Sequence, residues 1–335
     1  MAKDFTICAG TVGSGIWYSA DSGQRWSKSA MELPFFAEIG DIRALALAPS
    51  PHDRHRMLAG SEIGLHLSDD DGKSWKLLDF PINGSQIWSV AFDPSDKDVI
   101  LVGTKPPAVF RSEDGGRRWQ KLVIDFPARC PIPIGPPRVL ALVFDPLDHR
   151  SIWAGAEVGG VFHSTDGGES WDKLPPLGGT DTGLDIHGVA ISAGQPKKIL
   201  VTTPHGIWAS IDEGQSWTPH RFGFAGQEHS AYTRGVAVKA NDPDVIFVGN
   251  GNVVFGDKGE VQRSSDGGRT WQPLPLPTAP NSTVYGFATH PSDPDTVLAN
   301  TLYGYIYVTR DGGDSWKKID RELSEVRALA WMPSN

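Results

Sequence analysis

The sequence predicts an all-β chain folded as a seven-bladed β-propeller of four-stranded blades, one domain over residues 1–335. Three observations predict it: a motif recurring seven times at near-even spacing, four short alternating runs in each interval, and a final run that repeats the pattern of the first inner one.

The motif is Ser/Thr-x-Asp-x-Gly-x-x-Trp. It occurs as SADSGQRW, SDDDGKSW, SEDGGRRW, STDGGESW, SIDEGQSW, SSDGGRTW and TRDGGDSW, ending at Trp26, Trp75, Trp119, Trp171, Trp217, Trp271 and Trp316. The tryptophans are 49, 44, 52, 46, 54 and 45 residues apart. Before each motif stands a short alternating run, such as Gly15-Ile16-Trp17-Tyr18 or Gly160-Val161-Phe162-His163. After it come a few residues and a Pro or Gly, then a run such as Ala44–Leu47 or Ala141–Phe144, a polar Pro/Asp turn, and a run ending in Gly such as Met57–Gly60. Runs this short, bounded by turn residues, are strands.

The chain opens on Phe5–Thr11, Gly15–Ala20 and Arg25–Ser27, which have the patterns of second, third and fourth strands. It ends on Val326-Arg327-Ala328-Leu329-Ala330-Trp331, which matches Ile42–Leu47. A last strand at about 324–331 therefore completes the first blade and hides edges that would invite aggregation. Within the motif, Asp accepts hydrogen bonds across a tight turn, Gly permits positive φ, and Trp buries its indole between neighbouring sheets. The seven aspartates (Asp21, Asp70, Asp114, Asp166, Asp212, Asp266, Asp311) are read as structural.

Composition excludes several classes. Lys and Arg number 31 against 40 Asp and Glu, a formal charge of −9, which disfavours nucleic acid as a partner. No apolar run approaches the roughly 20 residues needed to span a bilayer, so no membrane role is expected. The start, Met1-Ala2-Lys3-Asp4-Phe5, has no apolar core of a secretory signal, so the expected location is cytoplasmic. Cys8 and Cys130 are too few for a disulfide framework or a cysteine metal cluster.

The repeated motif resembles the Asp-box, or BNR-repeat, family, which includes sialidases, xyloglucanases, sortilin-type receptor domains and photosystem II assembly factors. The resemblance covers the whole chain and implies a propeller with the Asp boxes on the face away from the active site. It does not specify the activity. Seven blades where sialidases have six, and the lack of a FRIP-type motif, argue against sialidase activity. Endo-acting cleavage of polysaccharide is disfavoured because xyloglucanases use two propellers flanking a cleft.

In a propeller the start of each first strand faces one rim of the central channel, a natural funnel for ligands. Aligning the repeats places Arg43, Trp88, Arg138, His187, Arg234, Tyr285 and Arg327 around that mouth. The loops between second and third strands supply Glu62, Lys105, Glu157, His205 and Tyr303. Arg43 with Glu62, and Arg138 with Glu157, are each 19 apart and read as ion pairs within a blade. Arg234 and Arg327 have no acidic mate in their own blades, which favours a small anionic ligand, unless loop acids such as Asp185, Glu228, Glu322 or Glu325 neutralise them. His187, His205 and His229 with Glu157 offer a ligand set for a divalent metal; rim histidines that only hydrogen-bond, or one acting as acid/base, are the alternative. Asp125–Arg138, Pro219–Arg234 and Asn250–Gln262 depart from the minimal repeat and map to the same rim.

Two functions follow. One is an enzyme of hydrolase or lyase type on a small anionic molecule, with His187 or His205 as acid/base, Glu157 and Tyr285 in the catalytic set, and Arg43, Glu62, Trp88, Lys105, Arg138, Arg234, Tyr303 and Arg327 binding the ligand. The other is a non-catalytic scaffold or assembly factor that docks a protein partner on the same rim, with Phe35, Phe36, Phe222 and Phe224 as interface aromatics.

Overall fold

The computed structural model describes residues 4–34, 42–82, 84–128, 136–224 and 226–334. Cys130, Phe35 and Phe36 lie outside the described residues, as does the middle of the Pro-rich run, 129–135. Seven antiparallel sheets succeed one another along the chain and form a seven-bladed β-propeller. The first blade joins Phe5–Thr11, Ile16–Ser19 and Ser27–Lys28 to the last strand, Val326–Pro333. That last strand pairs antiparallel along the whole of Phe5–Thr11, from Phe5 opposite Pro333 to Thr11 opposite Val326. Trp331 packs on Phe5 at 5.3 Å and its Nε1–H donates to Ala288 O of the seventh blade, 3.2 Å away.

One strand was not foreseen, nor were two short 3-10 turns, Leu177–Gly179 and Asp181–Leu184. Ala30–Met31 adds a fifth strand to the second blade, parallel to Ser74–Leu77. Two residues carry no readable alternation; the pairing comes from the chain passing outside the second blade, where Ala30 N–H meets Lys73 O at 3.0 Å.

The seven motifs fold alike. In each, the Asp carboxylate accepts the backbone N–H four residues on, at 2.8–3.0 Å. The Ser or Thr hydroxyl two residues before the Asp donates to it, and accepts the N–H of the motif Gly. The residue after the Asp has positive φ in all seven: Gly in four, Ser22, Asp71 and Glu213 in three. Each non-glycine offsets its strain by a bond of its own: Ser22 Oγ accepts Phe5 N–H, Asp71 pairs with His55, and Glu213 with Lys197. The tryptophans are less buried than expected. Trp75 and Trp316 are buried; the other five are half-exposed, because the indole edge lies at the outer rim, where blades splay apart.

Near the axis the blades converge. Gly10, Gly60, Gly103, Gly155 and Gly249 take equivalent places on second strands, and each abuts the next blade. A Cβ on Gly249 would lie 2.2 Å from Val284 O, and one on Gly60 2.6 Å from Ile87 Cγ2. In the two other blades a polar side chain bonds across instead: Thr202 Oγ1–H donates to Arg234 O at 2.7 Å, and Asn300 Nδ2–H to Val326 O at 3.1 Å. Gly249→Ala is expected to lower stability by about 1–3 kcal/mol through overpacking. Gly10→Ala, whose Cβ would meet Ala44 O at 3.0 Å, should cost less; urea unfolding of both variants checks the order.

Candidate functional site

Each inner strand is interrupted near its start. In six blades the register slips by one residue there, leaving Leu45, Trp88, Leu140, Arg234 with Gly235, Tyr285 and Arg327 at β-bulges. The fifth blade has His187 at the same place, its N–H on Thr202 O. A bulge re-aims a side chain. All seven of these positions line one axial cavity of about 410 Å³.

This corrects the expected collar. Trp88, His187, Arg234, Tyr285 and Arg327 hold their places, but Leu45 and Leu140 stand where Arg43 and Arg138 were expected. Strand side chains alternate with period two, so a two-residue slip keeps the same face and the alignment could not detect it. Arg43 and Arg138 belong to a second ring, one pleat outward, with Gln86, Asp185, Tyr232, Thr283 and Glu325. Most outer-ring side chains touch the inner ring: Gln86 Oε1 accepts Trp88 Nε1–H at 3.0 Å, Tyr232 Oη lies 3.4 Å from Arg234 Nη1, and Glu325 pairs with Arg327. The mouth is therefore divided. Blades two to four present Leu45, Trp88 and Leu140; blades five, six, seven and one present His187, Arg234, Tyr285 and Arg327.

The ion pairs within blades are present: Arg43 with Glu62 at 3.7 Å, half-exposed, and Arg138 Nε on Glu157 Oε2, nearly buried. The premise for an anion does not hold, because both supposedly unmated arginines have carboxylates. Arg234 reaches across the fifth blade to Glu157 Oε1, 3.3 Å away, and Arg327 pairs with Glu325. Glu157 lies two blades from Arg234, whereas Glu325 is one of the loop acids expected to neutralise these arginines. Arg234 is also only 5 % exposed. Its guanidinium lies over the Tyr285 ring at 4.6 Å, Arg327 lies over the same ring at 5.0 Å, and Arg138 over Trp88 at 4.0 Å.

The expected metal set does not assemble. His229 is exposed, with φ of 55°, and His205 sits in the turn between Thr203 and Gly206. Among the described residues the group that could converge on one ion is Glu157, Asp185 and His187, whose donor atoms lie within 4.8 Å of one another. Two arginines already neutralise Glu157, and that does not suit a cation. Lys105 ends the second strand of the third blade opposite Gln86, and Tyr303 stands on the outer rim with its hydroxyl donating to Phe255 O at 3.2 Å. Phe222 is buried and Phe224 half-buried, so neither is an open interface aromatic.

What does assemble is a proton-bearing cluster. His187 Nδ1 is 2.7 Å from Thr233 O. A carbonyl can only accept, so Nδ1 carries the hydrogen and Nε2 keeps its lone pair. That Nε2 faces Tyr232 Oη at 3.4 Å and Asp185 Oδ1 at 3.6 Å. Asp185 Oδ1 is buried, with no hydrogen-bond partner among the described residues. Burial, then the charge of Glu157, pushes the Asp185 carboxyl up to about 6. Burial opposes ionisation of Glu157 too, but Arg234 and Arg138 outweigh it and hold that carboxyl below its ordinary range. Burial, then Arg234, keeps His187 neutral, far below the usual imidazole value. Two neighbouring carboxyls are thus driven apart in proton affinity, the pattern of an acid beside a fixed charge. Asp185 was named from the sequence only as a loop acid that could neutralise the arginines, and Tyr232 was not named, although each lies two residues before a mouth residue.

A family model described as Sortilin-Vps10 (sortilin, neurotensin receptor 3) matches residues 64–175 and 207–334. A xyloglucanase of Paenibacillus sp is 29% identical over 278 residues, covering 71% of this chain and 27% of that protein. The photosystem II assembly lipoprotein Ycf48 of Synechococcus sp. (strain CC9902) is 25% identical over 267 residues, covering 78% of this chain and 71% of that protein. Among solved structures, the GH74 xyloglucanase from Xanthomonas campestris superposes with a TM-score of 0.70 at 19% identity, covering 96% of this chain and 53% of that one. The chain spans about a quarter to a third of the length of the xyloglucanases it matches.

Asp185 has a raised carboxyl, so its neutral form stabilises the fold fully below about pH 4, and that contribution is lost as pH rises through about 6. Asp185→Asn cannot ionise. Relative to wild type it should gain on the order of 2 kcal/mol between pH 4 and 7. Melting temperatures of both proteins across that range check the sign.

Proposed function

The chain belongs to the Sortilin-Vps10 family, and on that footing we propose that it is a glycosidase-like hydrolase working at the axial mouth on a neutral, hydroxyl-rich ligand, the end of an oligosaccharide. The observation that carries this reading is geometric: Asp185 Oδ1, buried without a hydrogen-bond partner among the described residues, lies 3.6 Å from His187 Nε2 and beside a Glu157 held by Arg138 and Arg234, and burial and the Glu157 charge push the Asp185 carboxyl up to about 6. The xyloglucanase relatives support the reaction class.

The divided mouth suits a sugar, which has an apolar C–H face and a hydroxyl edge. Leu45, Trp88 and Leu140 offer the first a surface, while Tyr285, Arg327 and His187 offer the second donors and acceptors. An anion is a poorer fit. Arg138, Arg234 and Arg327 are already paired with Glu157 and Glu325, which leaves no guanidinium there free to grip one. In the cleavage step Asp185 gives its proton to the departing glycosidic oxygen as the C–O bond breaks. Water adds to the carbon, and its proton returns to the Asp185 carboxylate, the stronger base of the pair, while the neutral His187 Nε2, 3.6 Å away, orients that water as a hydrogen-bond acceptor. Arg234 and Arg138 stabilise the Asp185 carboxylate in between.

A non-catalytic docking role is the second reading. It is favoured by the match to the Ycf48 assembly lipoprotein, which covers most of that protein's length. The two separate on one experiment. Wild type is incubated with xyloglucan and other β-glucan oligosaccharides and new reducing ends are counted, alongside Asp185→Asn. Hydrolysis that falls on the order of 100-fold in the variant, and in wild type falls as pH rises past about 6, supports the enzyme. Saturable binding of the oligosaccharides with no new reducing ends, equal in both proteins, overturns it and leaves docking.

A further inference from the structure

The outer rim carries one broken rule. In six blades the motif Gly nearest the Trp is covered by a side chain from the preceding blade. Four covers are the residue three after the preceding Trp: Leu78 on Gly116, Leu122 on Gly168, Leu174 on Gly214, Ile319 on Gly23. Cys8 covers Gly72 and Phe247 covers Gly313. Gly268 of the sixth blade has no such cover; a Cβ there would meet only its own blade's Trp271 and Ile246. In the fifth blade the covering position is His220, whose ring turns instead onto Phe222, at 4.8 Å, and lies 5.9 Å from Trp271.

The missing leucine leaves a cavity of about 580 Å³ between the fifth and sixth blades, the size of a small-molecule site. Leu200, Ile207, Ile211 and Trp271 form its apolar walls. Lys198 and Arg269 are its charged lining residues among those described; a carboxylate, Asp244 Oδ1, stands beside Lys198 over Gly267, where a Cβ would lie 2.3 Å from Lys198 Nζ and 2.7 Å from Asp244 Oδ1. Lys198 Nζ–H donates to Gly267 O at 2.5 Å, fixing one cation at the cavity edge. Nothing in the axial-mouth chemistry uses these residues.

We propose that this inter-blade cavity is a second binding site, for a small organic carboxylate with a flat apolar body. The body occupies the slot left by the absent leucine and stacks on Trp271, and the carboxylate meets Arg269 and Lys198. A slot between two sheets admits a planar group more readily than a bulky one, and a lining whose charged side chains are both cations selects an anion over a neutral isostere, Arg269 more than Lys198, which has Asp244 beside it.

The test uses 2-naphthoate as the probe and 2-naphthalenemethanol as its uncharged counterpart, titrated by calorimetry into wild type, His220→Leu, Arg269→Gln and Arg327→Gln. His220→Leu restores the side chain that other blades carry, and its melting temperature, at or above that of wild type, shows that it is folded. Expected are saturable 2-naphthoate binding to wild type, weakened about tenfold or more in His220→Leu and severalfold in Arg269→Gln, and unchanged in Arg327→Gln at the axial mouth. The alcohol should bind at least about tenfold more weakly. Equal binding to wild type and His220→Leu, loss in Arg327→Gln, equal binding of acid and alcohol, or no saturable binding of the probe to wild type overturns the proposal.

Discussion

Seven sheets meeting at one axis leave almost no room between their inner ends, and the rest of the molecule depends on that crowding. Five second strands carry glycine where they face the next blade, and the other two carry a side chain that bonds the neighbour's backbone instead. Backbones this close fix how far each inner strand can run before its register slips. The slip turns one side chain per blade towards the opening. The mouth is thus a product of packing before it is a product of chemistry.

The charges at the mouth obey the same geometry. A guanidinium as buried as that of Arg234 needs a carboxylate, and the fold supplies it from two blades away rather than from its own strand. Glu157 therefore stays ionised between Arg138 and Arg234. Asp185 shares the burial but pairs with neither arginine, and burial and the charge of Glu157 push its carboxyl up to about 6. The asymmetry between two neighbouring carboxyls comes from which guanidinium each can reach, and that comes from the curvature of the ring.

Most of the fold was legible in the residues. Seven Asp-x-Gly-x-x-Trp repeats and the likeness of Val326–Trp331 to Ile42–Leu47 were enough for the blade count and the closing strand, because both are local patterns written many times over. The site was half legible. Trp88, Tyr285 and Arg327 were placed, but Arg43 and Arg138 were set two residues out of step, since strand periodicity cannot tell one pleat from the next. The partner of Arg234 was hidden, because Glu157 is 77 residues distant and belongs to another sheet; Glu325, the partner of Arg327, stood among the loop acids the sequence offered. The cavity beside His220 was visible in principle as a lone histidine among leucines, but the meaning of that position comes from the contacts of Gly268.

The antiparallel seam between Phe5–Thr11 and Val326–Pro333 also sets a timetable. Three strands of the first sheet are synthesised about 300 residues before the partner that completes it. At about 5–20 residues per second, the wait is roughly a quarter of a minute to one minute. Throughout it the Phe5–Thr11 strand presents an open hydrogen-bonding edge and an uncovered apolar face. Nascent chains of this protein are thus exposed to mispairing with one another until Val326–Pro333 emerges, and holding factors that mask the Phe5–Ser19 hairpin would matter more for its yield than any that act on the finished ring.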